Sequence, residues 1–180
     1  SSAGNSTFSG TISGDGGVTL QGGTQTFSGS SVFNYTGETQ IAGGTLKVGG
    51  ASGNRVANDL FRFTSTGGTL DVSGGGFTLG GISTENGATN AAVTLGSAGT
   101  PANLTMAGSG NYTYAGTIAG TGDIVKSGTG VQTLSGTAAF ANTGKTVVQD
   151  GVLEIRNISD PTQFNYAVEL NGGWLDLSDS

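Results

Sequence analysis

Residues 10–48, GTISGDGGVTLQGGTQTFSGSSVFNYTGETQIAGGTLKV, can be laid over residues 116–155, GTIAGTGDIVKSGTGVQTLSGTAAFANTGKTVVQDGVLEI, with one inserted residue near Gly130. Gly10, Gly14, Gly16, Gly22, Gly29, Gly37 and Gly44 then fall on Gly116, Gly120, Gly122, Gly128, Gly136, Gly144 and Gly151. Upstream, NSTFSG (Asn5 to Gly10) answers NYTYAG (Asn111 to Gly116); downstream, TGGTLDVS (Thr66 to Ser73) answers NGGWLDLS (Asn171 to Ser178). Such a period outranks other sequence signals, because a repeated chain stacks supersecondary units and a missed repeat mis-assigns the whole fold. We read 1–180 as a single domain built on a module of roughly 105 residues. Copy one runs from about 5 to 110 and a partial copy two from about 111 to 180.

Within the module the grammar is apolar-polar-apolar: Val18-Thr19-Leu20, Thr45-Leu46-Lys47-Val48, Thr69-Leu70-Asp71-Val72, Phe77-Thr78-Leu79, Val93-Thr94-Leu95, Leu104-Thr105-Met106, Val152-Leu153-Glu154-Ile155 and Trp174-Leu175-Asp176-Leu177. Period two predicts short strands with Leu46, Val48, Leu70, Val72, Leu153, Ile155, Leu175 and Leu177 buried, and Lys47, Asp71, Glu154 and Asp176 facing water. Strands this short cannot bury a face alone, but coils stacked on one another bury a continuous aliphatic column. The fold class is therefore all-β, a right-handed parallel β-helix (β-solenoid) of roughly eight coils and about 40 Å. β-Sandwich modules are the alternative, since strands every 8 to 12 residues fit them as well. The solenoid is preferred because hairpin turns of the Asn-Gly and Asp-Gly type are few.

Composition excludes several function classes. Twelve acidic residues against six basic ones give a formal charge of −6, which repels phosphate backbones and argues against nucleic-acid binding. Without His the commonest general base and zinc ligand are missing, and without Cys there is no thiol to lock a chain exported unfolded. The apolar runs are all far too short for a membrane-spanning helix, so this segment is not expected to insert in a membrane as one. The sequence opens at Ser1 without Met or a signal-type apolar region and reads as a segment of something longer.

The segment from Asn111 to Ile155 resembles the passenger-associated transport repeat of bacterial type V autotransporters. The quoted stretches are GTGDIVKSGTGVQTLSG, FANTG and TVVQDGVLEI; copy one carries Leu20 where Lys126 stands but keeps FNYTG and GGTLKV. The resemblance implies a β-helical passenger segment, exported through the periplasm and outer membrane and displayed at the cell surface or released, with the repeats assisting export and folding. Its implied partners are neighbouring passenger coils and the C-terminal translocator barrel of the parent chain, with a host surface or another passenger beyond them. Adhesion or aggregation is the role left open. Two other classes remain: a fragment of a polysaccharide-active β-helical enzyme, and a fibre-forming protein of a biofilm matrix.

Motifs that look chemical have structural readings. Ala139 to Thr146, AFANTGKT, fits a permissive phosphate-loop pattern, but it lies between strands rather than between a strand and a helix. Its counterpart in copy one has Glu38 in place of Lys145. Gly14-Asp15-Gly16-Gly17 and Gly120-Thr121-Gly122-Asp123 resemble calcium turns of other solenoids but lack an Asp at every turn, so they are read as corners. Asp71 and Asp176 fall on different coils, too far apart for an acid/base pair. No catalytic, cofactor-binding or metal-binding residue is assigned and no cofactor is expected; the segment is read as non-enzymatic. Two stretches break the strand grammar, GGASGNRVANDL (Gly49 to Leu60) and RNISDPTQFN (Arg156 to Asn165). They are expected to protrude from one edge of the rod, carrying Arg55, Asn58 and Asp59, and Asp160, Pro161 and Gln163, where loops on a rigid scaffold place binding. Exposed aromatics are the other binding candidates: Tyr112 and Tyr114, which share one strand face, and Tyr35 and Tyr166, expected to be partly exposed.

Overall fold

Alternating residues and Gly corners produce strands of three to seven residues wound into a parallel β-solenoid of about seven turns. The structure, a computed structural model, describes residues 4–28, 31–49, 59–88, 90–136, 140–157 and 167–177. Where all of a turn is described, it visits three faces in order. Face one is a seven-stranded sheet: β1 (Asn5–Phe8), β4 (Thr24–Phe27), β7 (Thr45–Gly49), β9 (Gly68–Gly74), β12 (Ala91–Thr94), β15 (Thr117–Gly120) and β18 (Phe140–Asn142). Face two carries β2 (Thr11–Gly14) with β5 (Val32–Tyr35), then β10 (Phe77–Leu79), β13 (Leu104–Met106), β16 (Ile124–Lys126), β19 (Thr146–Val148) and β21 (Val168–Leu170). Face three carries β3 (Val18–Leu20), β6 (Thr39–Ile41), β8 (Leu60–Phe63) and β11 (Gly81–Thr84), followed by β14 (Tyr112–Tyr114), β17 (Val131–Leu134), β20 (Val152–Ile155) and β22 (Trp174–Asp176).

Every pairing between these strands is parallel, which excludes the sandwich, whose hairpins and Greek keys pair antiparallel. Seven described rungs on face one span about 29 Å and eight on face three about 34 Å at ~4.8 Å per spacing, close to the roughly eight coils, and somewhat short of the about 40 Å, expected from sequence. Coil length is irregular. The partners Asn5, Thr24, Thr45, Thr69, Ala92 and Thr117 on face one are unevenly spaced along the chain, with the shortest step from Asn5 to Thr24 and the longest from Ala92 to Thr117. That longest turn contains a tight reversal at Ser97 to Thr100, whose backbones exchange bonds of 3.1 and 3.0 Å.

The interior is a set of columns. On face one Leu46, Leu70, Val93 and Ile118 are in register and almost fully buried; on face three Tyr114, Leu134 and Ile155 are. Each closed turn buries such a set against the next, which is the main stabilising term in a stacked coil. Leu177 and Leu170, at the C-terminal turn, stay 48% and 55% exposed, because no described coil lies beyond them. Corners are set by glycine where the chain must turn with positive φ. Gly44 sits at φ +73°, and a Cβ there would come within 2.7 Å of the Gly22 carbonyl carbon and the Gly23 nitrogen, nearer still to the Gly23 oxygen. Only glycine allows that coil to rest on the one below.

Strand for strand, β1 to β9 reappear as β14 to β22: β4 over Thr24–Phe27 answers β17 over Val131–Leu134, and β6 over Thr39–Ile41 answers β19 over Thr146–Val148. The faces do not match. Face one of the first stretch becomes face three of the second, face two becomes one, and face three becomes two. Roughly 105 residues is not a whole number of turns of about 22 residues, so corresponding strands arrive a third of a turn out of phase.

Candidate functional site

Alternation turns one set of side chains outward onto the surface of the rod. Charged side chains sit there in ladders across neighbouring coils. On face one, Lys47 Nζ lies 3.3 Å from Asp71 Oδ2. Burial would raise the Asp71 carboxyl, but the hydrogen bonds from Ser73 and the adjacent Lys47 outweigh it and hold the group below its ordinary value. On face three, Arg62 is held between Glu38 and Glu85, the latter at 3.4 Å. Lys145 reaches Glu169 at 3.4 Å, and hydrogen bonds from Asn171 and Lys145 lower the Glu169 carboxyl.

A second cluster of one Arg and two carboxylates lies at the C-terminal end of face three. Val131, Val152 and Trp174 occupy one outward column, and Thr133, Glu154 and Asp176 the next. Thr133 Oγ1 donates to Glu154 Oε2 at 2.7 Å, and Arg156 Nη2 lies 3.3 Å from that same oxygen and 3.6 Å from Asp176 Oδ2. Trp174, the only tryptophan in the chain, is 71% exposed beside them. Sequence reasoning placed Glu154 and Asp176 outward correctly but did not join them to Arg156 and Trp174. The available signal was Trp174 itself, an aromatic at an outward position where the matching strand has Thr69.

Other expected residues fall as follows. Lys145 of the phosphate-loop look-alike is tied to Glu169, its backbone N–H is taken by Asp123 Oδ1 at 2.8 Å, and Thr146 is buried inside the rod, so strand, corner and strand replace the strand–helix cradle. Asp71 stands on face one and Asp176 on face three, so the two are not brought together. Asp59 was expected to protrude and is buried, with its carbonyl accepting from Gly80 N at 2.9 Å. Tyr35 and Tyr114 were candidate exposed aromatics and are core residues; Tyr114 Oη donates to Thr117 O at 3.1 Å and its ring packs 5.4 Å from Phe63. Arg55, Asn58, Asp160, Pro161, Gln163 and Tyr166 lie outside the described residues. The segments bearing the first five were expected on one edge, yet their flanks differ: β7 to β8 joins faces one and three, whereas β20 to β21 joins faces three and two.

Among the buried polar side chains that the sequence did not point to, Lys126 and Gln132 face inward at informative places. Lys126 belongs to the buried column Leu79, Met106, Lys126, Val148, and its ammonium donates to the Gly128 carbonyl at a corner shared with Gly151. Burial lowers its pKa, and Asp150 works against that. Gln132 fills the break in face three, where β11 and β14 are neighbours without a backbone ladder. Its Oε1 accepts from Ile82 N at 3.1 Å and its Nε2 donates to Ile82 O at 2.9 Å, so one side chain stands in for a strand. Among the described residues no group of three or more acidic side chains is placed to hold a metal ion, and no Arg gathers more than two carboxylates.

The described residues thus form a rod of stacked parallel coils with outward ion-pair ladders and an exposed Trp174 on its last strand. No protein-family model matches the chain, and no solved structure matches it. It is 34% identical over 155 residues to the adhesin BmaC autotransporter of Brucella suis biovar 1 (strain 1330). The alignment covers 86% of this chain and 4% of that protein, and it supports an autotransporter passenger segment. The chain thus spans a small fraction of the length of the curated relative it matches.

Proposed function

We propose that this chain is a non-enzymatic stalk segment of an autotransporter passenger, exported through the periplasm and outer membrane and displayed at the cell surface or released, where it contributes to adhesion. The observation that carries the reading is the combination of a parallel stack, continuous along face one from β1 to β18, with similarity to an adhesin autotransporter along most of the chain. The stretches of about 5–110 and 111–180 act as successive modules of the passenger-associated transport repeat type. Each coil contacts only its neighbours, so a coil that has emerged templates the next and biases the thread outward. Neighbouring coils and the translocator barrel of the parent chain are the partners this requires. A non-catalytic role fits the ion pairs, in which Glu154 and Asp176 share the Arg156 guanidinium and Glu38 and Glu85 that of Arg62.

The test is deletion of residues 116–155 from the full-length parent, with surface display read by antibody labelling and protease accessibility of intact cells. Display should fall severalfold while the barrel still inserts. Unchanged display would refute the export role, and unchanged attachment of cells displaying the deleted protein would refute the adhesive one.

A further inference from the structure

The internal repeat gives residues of the first module counterparts in the second, whose surroundings are known. Gln25 stands where Gln132 stands. It pairs with Ser6 of β1 as Gln132 pairs with Tyr112 of β14, and its Nε2 donates to Thr26 O at 3.1 Å as Gln132 Nε2 does to Thr133 O at 3.3 Å. In the second module this pose carries the amide past β14 to hold both backbone groups of Ile82 on the preceding coil. In the first, Gln25 Oε1 accepts from the Ser6 hydroxyl at 2.5 Å. Beside Gln25 lies an apolar cavity of about 250 Å³, lined by Phe8, Ile12, Val18, Phe27 and Leu46 among others. Their counterparts Tyr114, Ile118, Ile124, Leu134 and Leu153 are all buried, whereas Phe8, Ile12 and Val18 are half-buried. What covers the second set is chain that precedes it: Phe63 packs 5.4 Å from Tyr114, Val93 pairs with Ile118, and Leu104 with Ile124.

We propose that the β1 to β3 end is a docking joint for a preceding coil of the same passenger, and that Gln25 closes it. The occupant is built like β11 to β13. Two of its strands pair by backbone ladder with β2 and β3, as β12 and β13 pair with β15 and β16. Its remaining strand lies beside β1 without a ladder and gives the N–H and C=O of one residue to the Gln25 amide, as β11 gives those of Ile82 to Gln132. Aliphatic side chains of that coil fill the cavity, which is the stabilising term of stacking. Ser6 need not let go, because an amide oxygen has two lone pairs and accepts a backbone N–H beside the hydroxyl. The two modules differ at this point: the Tyr112 ring lies against Gly81, and Ser6 replaces that ring, so the strand beside β1 has room for a side chain where β11 has glycine. Both joints then have two laddered faces and one seam closed by glutamine, the seam falling on face one before β1 and on face three before β14. The proposal deepens the stalk reading above, on which it rests, by specifying how one module seats on another.

Amide hydrogen exchange is compared between the 180-residue chain and the full-length parent passenger. In the parent, β2 and β3 should exchange at least about tenfold more slowly than in the 180-residue chain, and β1 should gain less, because no ladder reaches it. Gln25→Met should speed exchange of the β1 to β3 segment at least about tenfold in the parent, and less than about twofold in the 180-residue chain. Equal rates in the two wild-type proteins, a gain at β1 as large as at β2 and β3, or a parent indifferent to Gln25→Met each overturns the proposal. Protection of β1 to β3 that grows with the concentration of the 180-residue chain assigns this end to a second copy and overturns the intrachain occupant. The wild-type comparison decides the docking even where Gln25→Met does not fold. Each readout is separate from surface display, so the joint can fail while the export reading, decided by deletion of residues 116–155, stands.

Discussion

Substituting Gln132 by Met tests the claim that a side chain replaces a strand at the break in face three. Methionine matches the volume, so the cavity contribution is small. It offers nothing to the Ile82 N–H and C=O, which now spend 3.1 and 2.9 Å hydrogen bonds on the Gln132 amide in a buried setting. Leaving two buried backbone groups unpaired costs about 1–3 kcal/mol each, and removal of a buried amide returns part of it, so the expected loss is about 2–4 kcal/mol. For a chain of this size each kcal/mol lowers Tm by about 2–4 °C, giving a drop of about 5–15 °C. The melt is followed by circular dichroism and the local effect by amide hydrogen exchange, in which Ile82 should lose protection before its neighbours on β8. A melt within about 1 °C of wild type, with Ile82 still protected, would refute the strand-replacement argument.

Three further perturbations follow from the same reasoning. Gly44→Ala places a methyl against the Gly22–Gly23 backbone at φ +73°, neither of which can relax cheaply, and should cost at least about 2 kcal/mol in urea titrations; a loss under about 0.5 kcal/mol would contradict the corner packing. Burial pushes the Tyr114 phenol above its ordinary value of 10.0, so the unfolded chain releases that proton first and stability is present below pH 10 and lost as pH rises beyond it. Tyr114→Phe should flatten this alkaline decline at the cost of one hydrogen bond, about 1 kcal/mol at neutral pH; an unaltered decline would assign it elsewhere. Lys126 is depressed from 10.5, so the unfolded chain binds more protons and the lysine's contribution improves as pH rises toward 10.5. Compared with Lys126→Leu, wild type should therefore gain relative stability between neutral pH and about 10, and a pH-independent difference between the two would show that the ammonium is not buried.

Much of the solenoid was legible in residue order. Alternation assigned Leu46, Leu70 and Leu153 inward and Lys47, Asp71 and Glu154 outward, because in a strand that choice depends only on parity once one aliphatic is buried. Parity alone, followed through Ile124-Val125-Lys126, also puts Lys126 inside, but a lysine is read as solvent-facing by default and the Gly128 carbonyl that receives it belongs to the folded corner. Of the candidate site, Glu154 and Asp176 were read as solvated charges. Their union with Arg156 and Trp174 depends on β20 and β22 lying in register, one full turn of the coil apart.

The order of residues by itself determined that this chain alternates, repeats and turns at glycine, and hence that it stacks coils. Which face each repeat presents was decided only by the tertiary structure, because face is the accumulated remainder of every turn's length. Turns of unequal length sum to a phase that no local window contains, and that phase places Trp174 on face three while Thr69 stands on face one. The same holds for Ile82 and Gln132, fifty positions apart, which meet only because two intervening coils bring β11 and β17 to either side of β14.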